Sequence, residues 1–316
     1  MAEDTIPVRP DEQFDPHRLA DYLRGQLPGS EQPLSVRQFG GGKANLTYLL
    51  QYGATEYVLR RPPLGPVAVG AHDMAREYRV LSVLHQALPT APQAYYYCAD
   101  PTIIGAPFFV MARKYGVVIR RNLPGNFSPE DGAALSNALV QALADLHAVD
   151  FAAIGLSDLG RPIGFVARQI DSWFQRWLAA QLTPVAEMDW LYAWLQAHQP
   201  PENAPTLLHN DFKLDNVMFT AGDSSRVTAI FDWDMCTLGD PLCDLGTLLT
   251  YWTQPDDPPI MQAFAMHPYD QANFATRHQL VQAYATLTGR DVGHIRFYHV
   301  LGLYRLVVII AQIYYR

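Results

Sequence analysis

The chain has 316 residues, of which 49% are hydrophobic and 17% charged, and its net charge at neutral pH is −8. That length suits two lobes with sizeable cores, and the apolar share excludes wholesale disorder. The acidic balance argues against nucleic acid or an anionic membrane as the main partner.

Residues 1–12 read as a flexible tail whose acidic, proline-bearing start lacks a signal-peptide pattern. Asp15–Leu27 follows as a short amphipathic helix closed by Pro28-Gly29. Three strand-like segments come next, Leu34–Phe39, Leu46–Tyr52 and Glu56–Arg61, with a glycine-rich loop between the first two and a turn at Gly53. A proline- and glycine-rich run, 62–70, precedes a helix around Asp73–Leu88. Tyr95–Cys98 and Pro107–Met111 read as two further strands. Five strands with one inserted helix make a first lobe, 1–113.

The texture turns helical from about Ser128, where Leu135, Leu139, Leu143 and Leu146 recur at helical spacing. Aromatic-rich helices are expected near 166–180 and 187–198, with most of Trp173, Trp177, Trp190, Tyr192 and Trp194 in the core. A β pair formed by 207–219 and Val227–Trp233 interrupts them. Helices resume from Leu242 through 273–288 and 294–315. The apolar run Leu306–Tyr315 spans only about half a membrane and reads as a buried helix. The second lobe is therefore 114–316, and the fold class is α+β. Cys98, Cys236 and Cys243 show neither metal-ligand nor disulfide spacing and read as reduced thiols of a cytoplasmic protein.

The stretch LLHNDFKLDNVMF, 207–219, sets carboxylates and an asparagine between apolar ends. Its core, His209-Asn210-Asp211-Phe212-Lys213-Leu214-Asp215-Asn216, has the spacing of the kinase catalytic loop H-R-D-L-x-x-x-N. Phosphoryl transfer needs a carboxylate beside the acceptor hydroxyl and a neutral oxygen ligand for Mg²⁺, and one short loop supplies both. The next strand ends in Asp232-Trp233-Asp234, with Asp232 where kinases carry the D-F-G aspartate. Upstream, Gly40, Gly41 and Gly42 lie between two strands, where backbone N–H groups can approach phosphates. Tyr57-Val58-Leu59-Arg60 aligns with V-A-I-K, with arginine as the cation. Glu77 sits on the apolar stripe of Met74, Leu81, Leu84 and Leu88, so burial there demands a partner, and Arg60 is the natural one.

These motifs resemble the aminoglycoside phosphotransferase and choline kinase-like small-molecule kinases, nearest to the kinase-like domains related to those fused to acyl-CoA dehydrogenases. The resemblance runs from about Leu34 to the C-terminus and rests on FGGGKANLTY, YVLRRPP, AREYRVL, HNDFKLDN and FDWDMCTLGDPLCDLG. It implies a protein-kinase-like two-lobe fold and an ATP-dependent transfer to a hydroxyl of a small molecule. Aminoglycoside-like compounds and hydroxy acids or their acyl derivatives are the acceptor classes. By the same resemblance Asp211 is the catalytic base, Asn216 and Asp232 hold Mg²⁺, and Arg60, paired with Glu77, contacts the nucleotide. Gly40, Gly41, Gly42, Asn45, Met111 and Arg113 complete the expected nucleotide-binding set. Where relatives often carry an acidic residue after Met111, this chain has Arg113 and Lys114.

Plainer roles stand beside these. His209 lacks histidine or cysteine companions and is expected to brace its loop, while Asp240 and Asp244 are expected to cap and anchor. Lys213 has two readings, a contact to the transferring phosphate or a solvated surface cation. A protein kinase would need a long activation segment, yet only seven residues separate Asp232 from Asp240. A non-catalytic nucleotide-binding or scaffold protein is another alternative, and a metal-dependent hydrolase a third, though the latter would not require the glycine loop, Arg60 or Glu77.

Overall fold

The computed structural model describes residues 4–40, 45–64 and 73–315. The chain divides into two units, Met1–Lys114 and Tyr115–Arg316.

In the first unit an antiparallel sheet is built from β1 (Thr5–Ile6), β2 (Leu34–Phe39), β3 (Leu46–Tyr52), β4 (Thr55–Arg61), β5 (Ala94–Cys98) and β6 (Phe108–Ala112), in the order β1-β2-β3-β4-β6-β5. The sheet therefore has six strands instead of five. The extra edge strand comes from the supposed tail, where Thr5 pairs with Phe39 and Ile6 with Gln38. Two residues cannot display an alternation, which hid this strand from a periodicity argument.

Period-two alternation sorts the side chains of the sheet. Leu46, Tyr48, Leu50 and Tyr52 of β3 join Tyr57 and Leu59 of β4 in one buried cluster. The helix α1 (Pro16–Leu23) adds Leu19 and Leu23 to that cluster. It ends four residues earlier than its sequence suggests, and Asp15 caps its start by accepting from His17 N at 2.9 Å. Arg61 lies on the face of Leu59, two residues away. It is buried and donates to the Tyr48 hydroxyl and to the carbonyls of Ile104 and Glu12. Arg60 points the other way. The helix α2 (Met74–Leu84), capped by Asp73, packs against β5 and β6 and turns Glu77 inward.

The second unit contains β7 (Val117–Val118) and the helices α3 (Gly132–His147), α4 (Phe165–Ala180) and α5 (Ala186–Ala197). The strands β8 (Thr206–Leu208), β9 (Val217–Thr220), β10 (Asp223–Ile230) and β11 (Thr237–Gly239) follow, and then α6 (Leu242–Tyr251), α7 (Pro259–Ala263), α8 (Arg277–Thr288) and α9 (Ile295–Tyr315). The strand β9 is central in the order β10-β9-β7, and β8 pairs with β11. The expected β pair is thus present, while β7, β8, β11 and α7 were too short to read from pattern. The helices α6 and α9 approach closely through glycine. A Cβ on Gly246 would lie 2.5 Å from the Tyr298 carbonyl oxygen, and one on Gly302 would lie 2.2 Å from Thr250 Oγ1.

Two core expectations need correction. Trp173 and Trp177 are buried, but Trp190 is 64% exposed, and Tyr192 and Trp194 are only partly covered. The helix α9 is long and apolar enough to cross a membrane by length and composition alone. It packs on α4, α5 and α6, yet Val307, Ile310, Ile313 and Tyr314 near its end are exposed. Apolarity without a clear period did not reveal which face is covered.

Candidate active site

The loop between β8 and β9 carries His209 to Asn216, and its shape is fixed by buried hydrogen bonds. The Asp244 carboxylate, at the start of α6, accepts from the backbone N–H of His209 and of Asn210, each at 2.7 Å. His147, at the end of α3, places Nε2 3.2 Å from the same carboxylate, and its Nδ1 lies 2.7 Å from the Tyr284 hydroxyl. All of these groups are inside the protein, where each unmade bond would cost about 1–3 kcal/mol. Asp240 makes a second anchor by accepting from Asn203, the Tyr298 hydroxyl and Leu242 N.

His209 braces the loop from within. The Asp211 N–H donates to its Nδ1 at 3.3 Å, so Nε2 carries the proton and donates to the Phe231 carbonyl at 2.7 Å. Asn210 has φ +65°, a left-handed conformation that asparagine tolerates better than most residues. Arg305 of α9 fastens it there by donating to its carbonyl at 3.0 Å and to its Oδ1 at 3.2 Å. Arg305, His147 and Tyr284 were not singled out from the sequence. One arginine beside the apolar end of α9 was the available signal, because a buried guanidinium requires acceptors.

Asp211 is held from two sides. Lys213 Nζ lies 2.9 Å from its Oδ2, and Asn216 Nδ2 donates to the same oxygen at 3.1 Å and to the Asp211 carbonyl at 2.9 Å. Burial works against the Lys213 charge, but the Asp211 and Asp215 carboxylates outweigh it and raise its pKa. Lys213 is thus neither solvated nor free, since its ammonium also sits 5.0 Å from the Tyr251 ring centre. Burial raises the Asp215 pKa.

The β9–β10 hairpin brings the second carboxylate alongside. Val217 pairs with Ile230, and Phe231 N donates to the Asn216 carbonyl at 2.9 Å. Asn216 and Asp232 therefore leave the same end of the hairpin. Asp232 has φ +69°, outside the ordinary range for a residue with a side chain, and such strain of about 1 kcal/mol or more gathers at functional positions. Below it Trp233 is buried and donates from Nε1 to the Ile230 carbonyl at 2.8 Å.

The donor chemistry fits Mg²⁺. Both groups bonded to Asn216 Nδ2 are acceptors, so the amide nitrogen must face them and Oδ1 remains as a hard oxygen ligand. Among the described residues no three His, Cys, Asp or Glu side chains gather as a metal cluster. An Asn–Asp pair leaves most of an octahedral shell to phosphate and water, as Mg²⁺ prefers.

In the first unit Arg60 Nε lies 3.0 Å from Glu77 Oε2, and the Glu77 side chain is 1% exposed. The ion pair anticipated from the α2 stripe is thus present. Met111 is buried in β6 opposite Val58, Asn45 is buried just before β3, and the Gly40 carbonyl accepts from Arg9 at 3.1 Å. Gly41 and Gly42 lie outside the described residues. Arg113, also expected in the nucleotide-binding set, is engaged in ion pairs. Its guanidinium bonds to Glu56 at 2.6 Å and Asp4 at 3.0 Å, which raise its pKa against the effect of burial and tie the N-terminal segment to the sheet.

A solved structure of a putative aminoglycoside phosphotransferase from Ralstonia eutropha JMP134 is 32% identical, with a TM-score of 0.81 over 96% of this chain and 90% of that one. Acyl-CoA dehydrogenase family member 11 of Rattus norvegicus is 33% identical over the whole of this chain, which spans 41% of that relative's length. A streptomycin–ATP ternary complex of APH(2″)-IIa, 17% identical, has a TM-score of 0.60 over 96% of this chain and 88% of its own, and so shares the fold. That fold is protein-kinase-like. With the phosphotransferase enzyme pattern matching residues 35–279, the chain belongs to the phosphotransferase enzyme family.

Proposed function

We propose that this chain transfers the γ-phosphate of ATP, with Mg²⁺, to a hydroxyl group of a small molecule. The observation that carries the reading is the loop in which Asn216 Nδ2 bridges the carbonyl and carboxylate of Asp211 while Phe231 N bonds to the Asn216 carbonyl. Base and metal ligands thereby form one rigid piece. Asn216 and Asp232 would hold Mg²⁺, which supplies charge neutralisation for the phosphates. Arg60, oriented by Glu77, is the phosphate-binding cation; Arg61 is excluded from that role because its donors are engaged inside the first unit. Gly40, Gly41, Gly42, Asn45, Met111 and Arg113 complete the nucleotide-binding set.

Asp211 accepts, or orients, the proton of the acceptor hydroxyl as the phosphoryl group departs from ATP. Lys213 and Asn216 both bond to its Oδ2, leaving Oδ1 for the acceptor. Two acceptor classes are proposed: amino sugars, after the name of the aminoglycoside phosphotransferase relative, and hydroxy acids or their acyl derivatives, after the kinship to acyl-CoA dehydrogenase family members. Incubation with Mg-ATP and a panel of hydroxylated metabolites tests the activity. Asp211→Asn should then keep Mg-ATP affinity while lowering turnover by roughly 10²–10⁴-fold. Unimpaired turnover would remove Asp211 as the base, and lost nucleotide binding would move it into the metal shell.

A further inference from the structure

Asn210 stands directly before Asp211, and its backbone N–H, its carbonyl and its Oδ1 are all captured. The N–H donates to Asp244 Oδ1 at 2.7 Å, and Arg305 donates to both of the oxygens. Asn210 and Arg305 are each only 7% exposed, so water cannot readily replace these bonds. The capture matters because the Asn210 φ of +65° is one that a residue with a side chain leaves unless its surroundings hold it. A swing to the ordinary negative φ would turn the chain that follows and carry the Asp211 carboxylate with it. The holding group is itself fixed from two further helices. Arg305 Nη1 donates to Thr247 Oγ1 of α6 at 3.3 Å, and the guanidinium carbon lies 5.2 Å from the ring centre of Trp173 on α4. In the kinase pattern H-R-D the arginine belongs to the loop. Here asparagine takes that place, and an arginine 95 residues further along the chain reaches the same peptide.

We propose that Arg305 is a positioning residue for phosphoryl transfer. By holding Asn210 left-handed it sets where the Asp211 carboxylate points, so turnover depends on how helix α9 is seated against the loop. The dependence is conformational, and this gives it a signature. Glycine adopts a positive φ at no steric cost, so Asn210→Gly should make the loop far less reliant on Arg305. An arginine that only stabilised the fold would lower the unfolding midpoint to the same extent whichever residue stood at 210, and would leave kcat alone. This inference rests on the kinase reading above and adds to it a residue that acts through the base.

The test uses the full chain and Mg-ATP, with water in place of the acceptor hydroxyl and released phosphate as the signal. Arg305→Met should lower kcat by about ten- to a hundredfold, as a displaced catalytic group implies, while Mg-ATP affinity by calorimetry stays within about twofold. In the Asn210→Gly background the same substitution should cost about threefold or less. Hydrogen exchange over residues 209–216 should quicken on the order of tenfold in Arg305→Met. Unfolding midpoints establish that the variants are folded. Arg305→Lys, which keeps the charge without the fork, replaces the methionine variant if that one is not. The proposal is overturned if kcat is unchanged, if the loss is as large in the Asn210→Gly background, or if nucleotide affinity falls in step with turnover. Loop exchange indifferent to Arg305 overturns it as well, whatever the activity. Wild type that neither binds nor hydrolyses Mg-ATP overturns the kinase reading itself.

Discussion

Asp232 illustrates how a single residue can carry both strain and function. Its left-handed backbone would suit glycine, so a carboxylate held there argues for a task that a neutral residue cannot perform. Asp232→Ala should abolish Mg²⁺-dependent nucleotide binding, and calorimetry showing unchanged Mg-ATP affinity would falsify its assignment as a metal ligand. Arg60 permits a finer comparison. Its Nε lies 3.0 Å from Glu77 Oε2, an ion pair that orients the guanidinium proposed to meet phosphate. Arg60→Ala should weaken nucleotide affinity roughly ten- to a hundredfold, as expected for losing charge-assisted bonds. Arg60→Lys should keep substantial activity because the point charge remains. Equal affinities for wild type and alanine variant would exclude Arg60 as the phosphate clamp. These residues were legible because their chemistry has fixed spacing along the chain. Arg305 and His147 were not, since they act on the loop from remote positions.

At the scale of elements, the segment that joins α6 to α8 through α7 is held by aromatic stacking. His267 lies over Trp252 with ring centres 4.5 Å apart, and Phe274 meets it edge-on at 5.4 Å. Burial is the main cause that lowers the His267 pKa to about 4, with Arg277 adding to it. The unfolded chain, with an ordinary pKa near 6.5, therefore binds more protons than the folded one between these values. The contribution of His267 to stability is complete above pH 6.5 and is lost as the pH falls towards 4. Its full size is roughly 3 kcal/mol. His299 is shifted the same way, again first by burial. Urea unfolding at pH 7 and at pH 4.5 should show a smaller acid loss for His267→Gln than for wild type. Equal losses would mean that His267 is not the acid-sensitive group. Nothing in the sequence announced this residue, because a lone histidine between Met266 and Pro268 has no pattern until tertiary packing surrounds it.

At the scale of the whole molecule, the change from alternating to helical periodicity at about Ser128 was readable, because the elements on either side of it are long enough to show their period. The pairings of two or three residues, β1, β7 and β8 with β11, were not, since tertiary contacts alone select them. Each unit holds residues proposed for nucleotide binding, Arg60 and Glu77 in the first and Asn216 and Asp232 in the second. A ligand that binds only folded protein stabilises it by about 2.7 kcal/mol at a hundred times its Kd. Mg-ATP should therefore raise the thermal unfolding of both units, whether they melt in one transition or in two. Hydrogen exchange can read the units separately through β3 and β4 for the first and α6 and α9 for the second. ATP with chelator should give a markedly smaller effect, because the Asn216 and Asp232 oxygens then meet phosphate without a cation between them. Protection confined to the second unit would remove Arg60 and the glycine loop from the nucleotide site, and protection confined to the first would remove the metal pair.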